Sequence, residues 1–199
     1  MTTGRMEAFS DGVLAIIITI MVLELKLPEG SSYHALGQVW PALLAYVLSF
    51  VYVAIYWVNH HHLLKTVEHV TGGILWANID LLFWLSLLPF ATRWMSVEHF
   101  ALWPVVTYGV VLDLAGIAYY VLQQVIIASQ GPESALRAAI GRDVKGTLSV
   151  VLSAAGVVIA IVAGWVWAAL VLYAAVAVMW LVPDRRLEPV IDRREVHED

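Results

Sequence analysis

The sequence predicts an all-α integral membrane protein with six transmembrane helices per subunit and both termini in the cytoplasm. Three observations carry that reading. Of the 199 residues, 61% are hydrophobic and 14% charged, with a mean hydropathy of +0.80; a soluble domain carries about 25% charged residues. Six apolar stretches, at 6–27, 38–62, 73–95, 102–127, 147–163 and 165–182, are separated by polar loops. The basic residues also sort by side. With the N-terminus inside, Arg5, Lys65, Arg137, Arg142, Lys145, Arg185, Arg186, Arg193 and Arg194 are cytoplasmic, and Lys26 and Arg93 are outside. This is the bias that orients multi-span proteins.

The first span opens with charges, Arg5-Met6-Glu7-Ala8-Phe9-Ser10-Asp11, and continues as a bilayer-spanning apolar run from Gly12. It lacks the basic start and small-residue cleavage pattern of a signal peptide, so it reads as a retained span. The second ends in Trp57, Asn59, His60, His61 and His62, and the third carries Asn78 and Asp80 near its start. The fourth has Asp113 near its middle. The fifth and sixth are divided at Ala163-Gly164-Trp165 as a tight hairpin, because one helix over 147–182 would be nearly twice the ~20 residues a crossing needs. Residues 1–182 thus form one transmembrane unit, and 183–199 a charged, proline-interrupted cytoplasmic tail. Nine tryptophans and eight tyrosines supply interfacial belts.

Several classes are excluded. There is no cysteine, hence no disulfide or thiolate metal site. No basic surface suits nucleic acid. Adjacent histidines point to different sides of a helix, and no second intramembrane histidine faces them, so no haem or metal centre is expected. No nucleophile–base arrangement suggests an enzyme.

Topology brings polar residues to one depth. Asp11 lies near the cytoplasmic start of the first span, Trp57, Asn59, His60 and His61 at the cytoplasmic end of the second, and Asn78 and Asp80 near the start of the third. Each is costly in lipid alone, and together they can satisfy one another. A polar cluster is expected, with Asp11 accepting from a histidine, the Trp57 indole or Asn78. Ser10 and Asp11 can equally cap the first helix, and the histidines can rim the membrane. Asp113 shows no partner at its depth. It reads either as a carboxyl buried in the bundle or as part of a proton-coupled pathway.

Beyond Asp11, residues Gly12, Ile16, Thr19 or Ile20, and Leu23 lie on one face of a helix. Such a stripe can face lipid or a neighbouring helix. Repeated around a symmetry axis, it would give stacked rings of branched side chains below an acidic mouth, a constriction that gates by excluding water. Thr107-Tyr108-Gly109 lacks the preceding glycine and the pore-loop setting of a carbonyl filter.

The run Arg5-x-x-x-Phe9-Ser10-Asp11, leading into Gly12-Val13-x-Ala15-Ile16-x-x-Thr19 and Leu23-Glu24-Leu25, resembles the signature of the transmembrane protein 175 family of lysosomal potassium channels. Trp57-x-x-His60-His61, Asn78 and Leu88-Pro89-Phe90 also resemble that family, and most closely its prokaryotic six-helix members. The resemblance covers the first half of the chain well. It implies a potassium-selective or potassium-preferring leak channel in the cell membrane, a homotetramer around a central pore lined by helix 1. It needs no cofactor, only permeant potassium ions. The resemblance puts the constriction at Ile16, with further rings at Thr19 or Ile20 and at Leu23. It implies that Arg5, Phe9, Ser10 and Asp11 fix the helix 1 entrance against the next two spans. A proton- or cation-coupled secondary transporter is the alternative, with Asp113 and Asp11 as titrating groups.

Overall fold

The computed structural model describes residues 2–131, 134–141 and 143–181, and all regular structure within them is helical. The first span is α1 (Thr3–Leu23), at 21 residues long enough for about 31 Å at ~1.5 Å per residue. It starts earlier and ends earlier than the stretch 6–27. A short α2 (Tyr33–Gln38), capped by Ser32, leads into α3 (Trp40–Lys65). Pro41 sits in the first turn of α3, where its missing N–H costs nothing.

The third predicted span is broken. α4 (Gly72–Ser86), capped by Thr71, gives way at Leu87 to α5 (Leu88–Val97). Pro89, in the first turn of α5, cannot continue the hydrogen-bond ladder of α4. α6 (Leu102–Gln130) follows, then a short α7 (Ala135–Ile140), α8 (Val144–Ala163) and α9 (Val166–Leu181). Asp143 caps α8 by accepting from Gly146 N at 3.0 Å. The α8–α9 hairpin turns where expected: Gly164 ends α8 with φ +70°, a left-handed conformation open to glycine.

Five segments are long and apolar enough to cross a membrane: Thr3–Leu23, Trp40–Lys65, Gly72–Val97 (α4 with α5), Leu102–Gln130 and Val144–Ala163. α9 is apolar but has 16 residues, or about 24 Å against a ~30 Å core. The tail read at 183–199 lies outside the described residues.

α6 is the centre of the bundle, packing against α4, α5, α8 and α9. Lipid offers helices no hydrophobic drive to associate, so close packing must hold them. Small residues provide it. A Cβ on Gly156 would meet the Tyr173 ring at 2.8 Å and the Ala169 backbone at 3.4 Å, and one on Gly109 would meet Tyr173 Oη at 2.1 Å. At the α5–α6 corner, Phe100 adopts φ 59° and packs against both Trp40 and Trp167, with ring centroids 5.7 and 5.3 Å away. α1 sits at the edge, packed against α3, α4 and α5.

Candidate functional site

α1 has two unlike faces. Met6, Ser10, Leu14, Ile17 and Met21 recur at intervals of four, four, three and four, and all are buried against the bundle. At about 100° per residue, Gly12, Ile16, Thr19 and Leu23 point roughly the opposite way. That stripe is exposed on the subunit: Ile16 is 58% and Leu23 81% accessible, and a Cβ on Gly12 would meet nothing within 4 Å. Thr19 lies about 180° from the middle of the buried face, and Ile20 about 80° from it. The Thr19 hydroxyl donates to Ile16 O at 2.9 Å, one residue nearer than the Ala15 carbonyl available at i−4.

A chain of hydrogen bonds fixes the buried face at its N-terminal end. Ser10 Oγ donates to Met6 O at 2.9 Å and accepts from Asn78 Nδ2 at 3.0 Å. With the amide nitrogen committed to Ser10, Asn78 Oδ1 is the acceptor facing His60 Nε2 at 2.7 Å. His60 Nε2 therefore carries the hydrogen. All three side chains are buried, at 0%, 2% and 1% exposure, so α1, α4 and α3 are tied together out of contact with solvent. His60 Nδ1 has no partner among the described residues.

A second, outer pair of contacts joins α1 to α3. Trp57 Nε1 donates to Asp11 Oδ1 at 2.9 Å, and His61 Nδ1 lies 2.6 Å from Glu7 Oε1. Glu7 and Asp11 are four apart, as are Trp57 and His61, so two short ridges face each other. Of the three donors expected for Asp11, the indole is the one it has. Glu7 was not among the expected residues, although its spacing from Asp11 matches that of His61 from Trp57. At the other end of α1, Arg93 pairs with Glu24.

Three expectations are corrected. Asp80 does not join the cluster: two residues from Asn78 on one helix, it faces elsewhere and is exposed. Asn59 is buried and does not join the cluster, its amide donating to Ile55 O at 2.8 Å. Asp113 does have a partner, Ser153 Oγ of α8, which donates to its carboxylate. Arg5 is exposed, and Phe9 is 56% exposed on the flank of α1 turned away from its contacts with α3 and α4.

This arrangement is a helix locked by buried polar bonds on one side and bare and apolar on the other. A profile of the family described as "Endosomal/lysosomal potassium channel TMEM175" matches residues 5–89, which contain every contact of α1 with α3 and α4 given above. A protein of Chryseobacterium sp. (strain P1-3), named a potassium channel, is 53% identical over 188 residues, 94% of this chain and 97% of its own length. The human protein named "Endosomal/lysosomal proton channel TMEM175" is 35% identical over 104 residues, 46% of this chain and 21% of its own. The crystal structure of a lysosomal potassium-selective channel TMEM175 homolog from Chamaesiphon minutus superposes with a TM-score of 0.79 at 25% identity. The match covers 92% of this chain and 97% of that one. Matched over nearly its whole length in both sequence and fold, the chain belongs to the TMEM175 family of ion channels.

Proposed function

We propose that the protein is a potassium channel, with passive conduction along a path lined by α1 from four copies of the chain. The observation that carries this is the bare apolar stripe Gly12, Ile16, Thr19 and Leu23, opposite the face that Ser10, Asn78 and His60 hold in place. A helix so fixed presents the same side chains from every subunit. Four such stripes around an axis enclose a dry constriction at Ile16, which conducts when it wets. The names of the Chryseobacterium relative, a potassium channel, and of the Chamaesiphon structure, a potassium-selective channel, support the ion assignment. The family and these relatives are channels, not enzymes.

In this reading Thr19, not Ile20, forms the ring below Ile16. Its hydroxyl hydrogen is engaged by Ile16 O, which leaves its lone pairs as acceptors for a cation. α9 completes six crossings, with the ~6 Å shortfall taken up by local thinning of the bilayer and by its flanking residues. The excess of cytoplasmic basic residues keeps both termini inside the cell membrane. Arg5 and Phe9, exposed on the subunit, contact neighbouring copies in the assembled channel.

The absence of cysteine from the sequence permits a direct test. Single cysteines at Ile16, Thr19 and Leu23 should be modified by a water-soluble cationic thiol reagent, with loss of potassium current, and Ile20→Cys should not. Modification of Ile20 in place of Thr19 would reverse the register. One observation favours the transporter alternative, the Asp113 carboxylate held by Ser153 inside a membrane-crossing segment. Under that reading Asp113→Asn abolishes pH-coupled flux, and under ours it leaves potassium current intact.

A further inference from the structure

A cleft of about 310 Å³ lies between α3, α6, α8 and α9. Tyr52 and Leu112 line its inner end, and Asp143, Thr147 and Trp180 its rim. Along α8 it runs from Asp143 to Ser153, ten residues or about 15 Å at ~1.5 Å per residue. Half of a ~30 Å hydrocarbon core is the depth of one leaflet.

Several polar groups of its walls are turned on one another. Tyr119 Oη donates to Asn59 O at 3.1 Å, and the Asn59 amide to Ile55 O at 2.8 Å. Trp180 Nε1 donates to Ser149 Oγ at 2.6 Å, Ser149 Oγ to Lys145 O at 2.8 Å, and Ser153 Oγ to the Asp113 carboxylate. What these bonds leave to an occupant is mostly carbon, so a methylene chain breaks none of them while a polar solute must give up its water for few partners. The rim differs. Lys145 Nζ lies 4.4 Å from the centre of the Trp180 ring, and aromatic and basic side chains together mark headgroup depth. The Asp143 carboxylate is drawn into the first turn of α8 by Gly146 N. Lys145, held against the rim residue Trp180, gives a phosphate a cationic partner next to Asp143, and the carbon-lined cleft is as deep as one leaflet, the length of an acyl chain.

We propose that this cleft is a lipid site, holding one acyl chain of a bilayer phospholipid with its phosphate beside Lys145. The chain lies against Tyr56 and Asn59, on the side of α3 roughly opposite Trp57 and His61 at about 100° per residue. The bound lipid therefore backs the helix that holds α1. That last consequence rests on the pore reading, whereas the binding itself does not.

Native mass spectrometry of the purified full chain, titrated with dioleoylphosphatidylglycerol in detergent, tests the site without measuring current. Gly116 lines the cleft, and a Cβ there meets Val150 Cγ2 at 3.5 Å and Tyr56 Oη at 3.8 Å, ordinary contacts, so Gly116→Phe should put its ring into the cleft. The wild type should retain one lipid per chain, and Gly116→Phe should bind at least ten-fold more weakly. Val171→Phe, on the exposed surface of α9, should bind as the wild type does. Lys145→Gln leaves the cleft open and should weaken binding several-fold, which keeps the test decisive if Gly116→Phe fails to fold. No retained lipid in the wild type, equal retention in Gly116→Phe, equal loss in Val171→Phe, or unchanged binding in Lys145→Gln would each overturn the assignment.

Discussion

Replacing Asn78 with alanine removes the middle of the Ser10–Asn78–His60 chain, and the cost follows from what remains. Ser10 Oγ keeps its bond to Met6 O and loses only the hydrogen it accepts. His60 is worse off. At 1% exposure, its Nε2–H loses its acceptor, and Nδ1 is already without a partner. An orphaned buried donor costs about 1–3 kcal/mol, and the second lost hydrogen bond a further ~0.5–1.5 kcal/mol. The sum is about 1.5–4.5 kcal/mol per subunit. The lower end is expected, because hydrogen bonds between membrane helices average only about 0.6 kcal/mol. Denaturant unfolding of the purified protein, followed by helical circular dichroism, reads this directly. Asp80→Ala on the same helix, exposed and outside the chain, should stay within about 0.5 kcal/mol of wild type. If Asn78→Ala unfolds together with Asp80→Ala, the buried chain does not hold α1, and the argument that α1 presents a fixed face falls with it.

Gly109→Ala should destabilise by about 1–3 kcal/mol in the same assay, because its Cβ would fall 2.1 Å from Tyr173 Oη and 2.8 Å from Val157 Cγ2; an unchanged midpoint would mean that α9 shifts freely on α6. Glu7→Gln should cost less than about 1 kcal/mol, since Glu7 and His61 have side-chain exposures of 26% and 35%; a larger loss would place this pair in an interface between copies. Asp11→Ala, which strips the acceptor from the 47% exposed Trp57, should likewise lower stability by no more than about 1 kcal/mol, and a loss of several would show that assembly buries the pair. Ile16→Asn should wet the constriction and raise single-channel conductance, and unchanged current would remove Ile16 from the pore.

Much of this site is legible in the sequence, for reasons that particular residues show. Asp11, Trp57, His60 and Asn78 are too polar for lipid and fall at one depth once the basic residues have set the topology, so their association follows from cost alone. Which donor meets which acceptor does not follow. Assigning Trp57 to Asp11 and Asn78 to Ser10 needs the rotation of three helices about their own axes, which depth leaves free. Asp80 shows the limit, since it shares a depth with Asn78 yet points elsewhere. The Asp113–Ser153 bond was illegible because it depends on the register of α8 against α6, set by close approaches at small residues such as Gly109 and Gly156. The break at Leu87 was foreshadowed by Pro89, but whether proline kinks or ends a helix is decided by what packs around it. The stripe on α1 was visible as periodicity. That it is left bare on the subunit depends on Met6, Ser10 and Leu14 being buried on the other side of α1, which periodicity alone does not decide.

The role proposed for α1 is to line a path for potassium. It is tested most directly by current from the purified protein in a planar bilayer, with potassium on one side and sodium on the other. Unitary ohmic steps should reverse toward the potassium potential, and Thr19→Val should move that reversal toward zero while Ile20→Val leaves it in place. Absence of unitary current, with slow pH-dependent uptake into liposomes that Asp113→Asn abolishes, would contradict the account and make the protein a carrier.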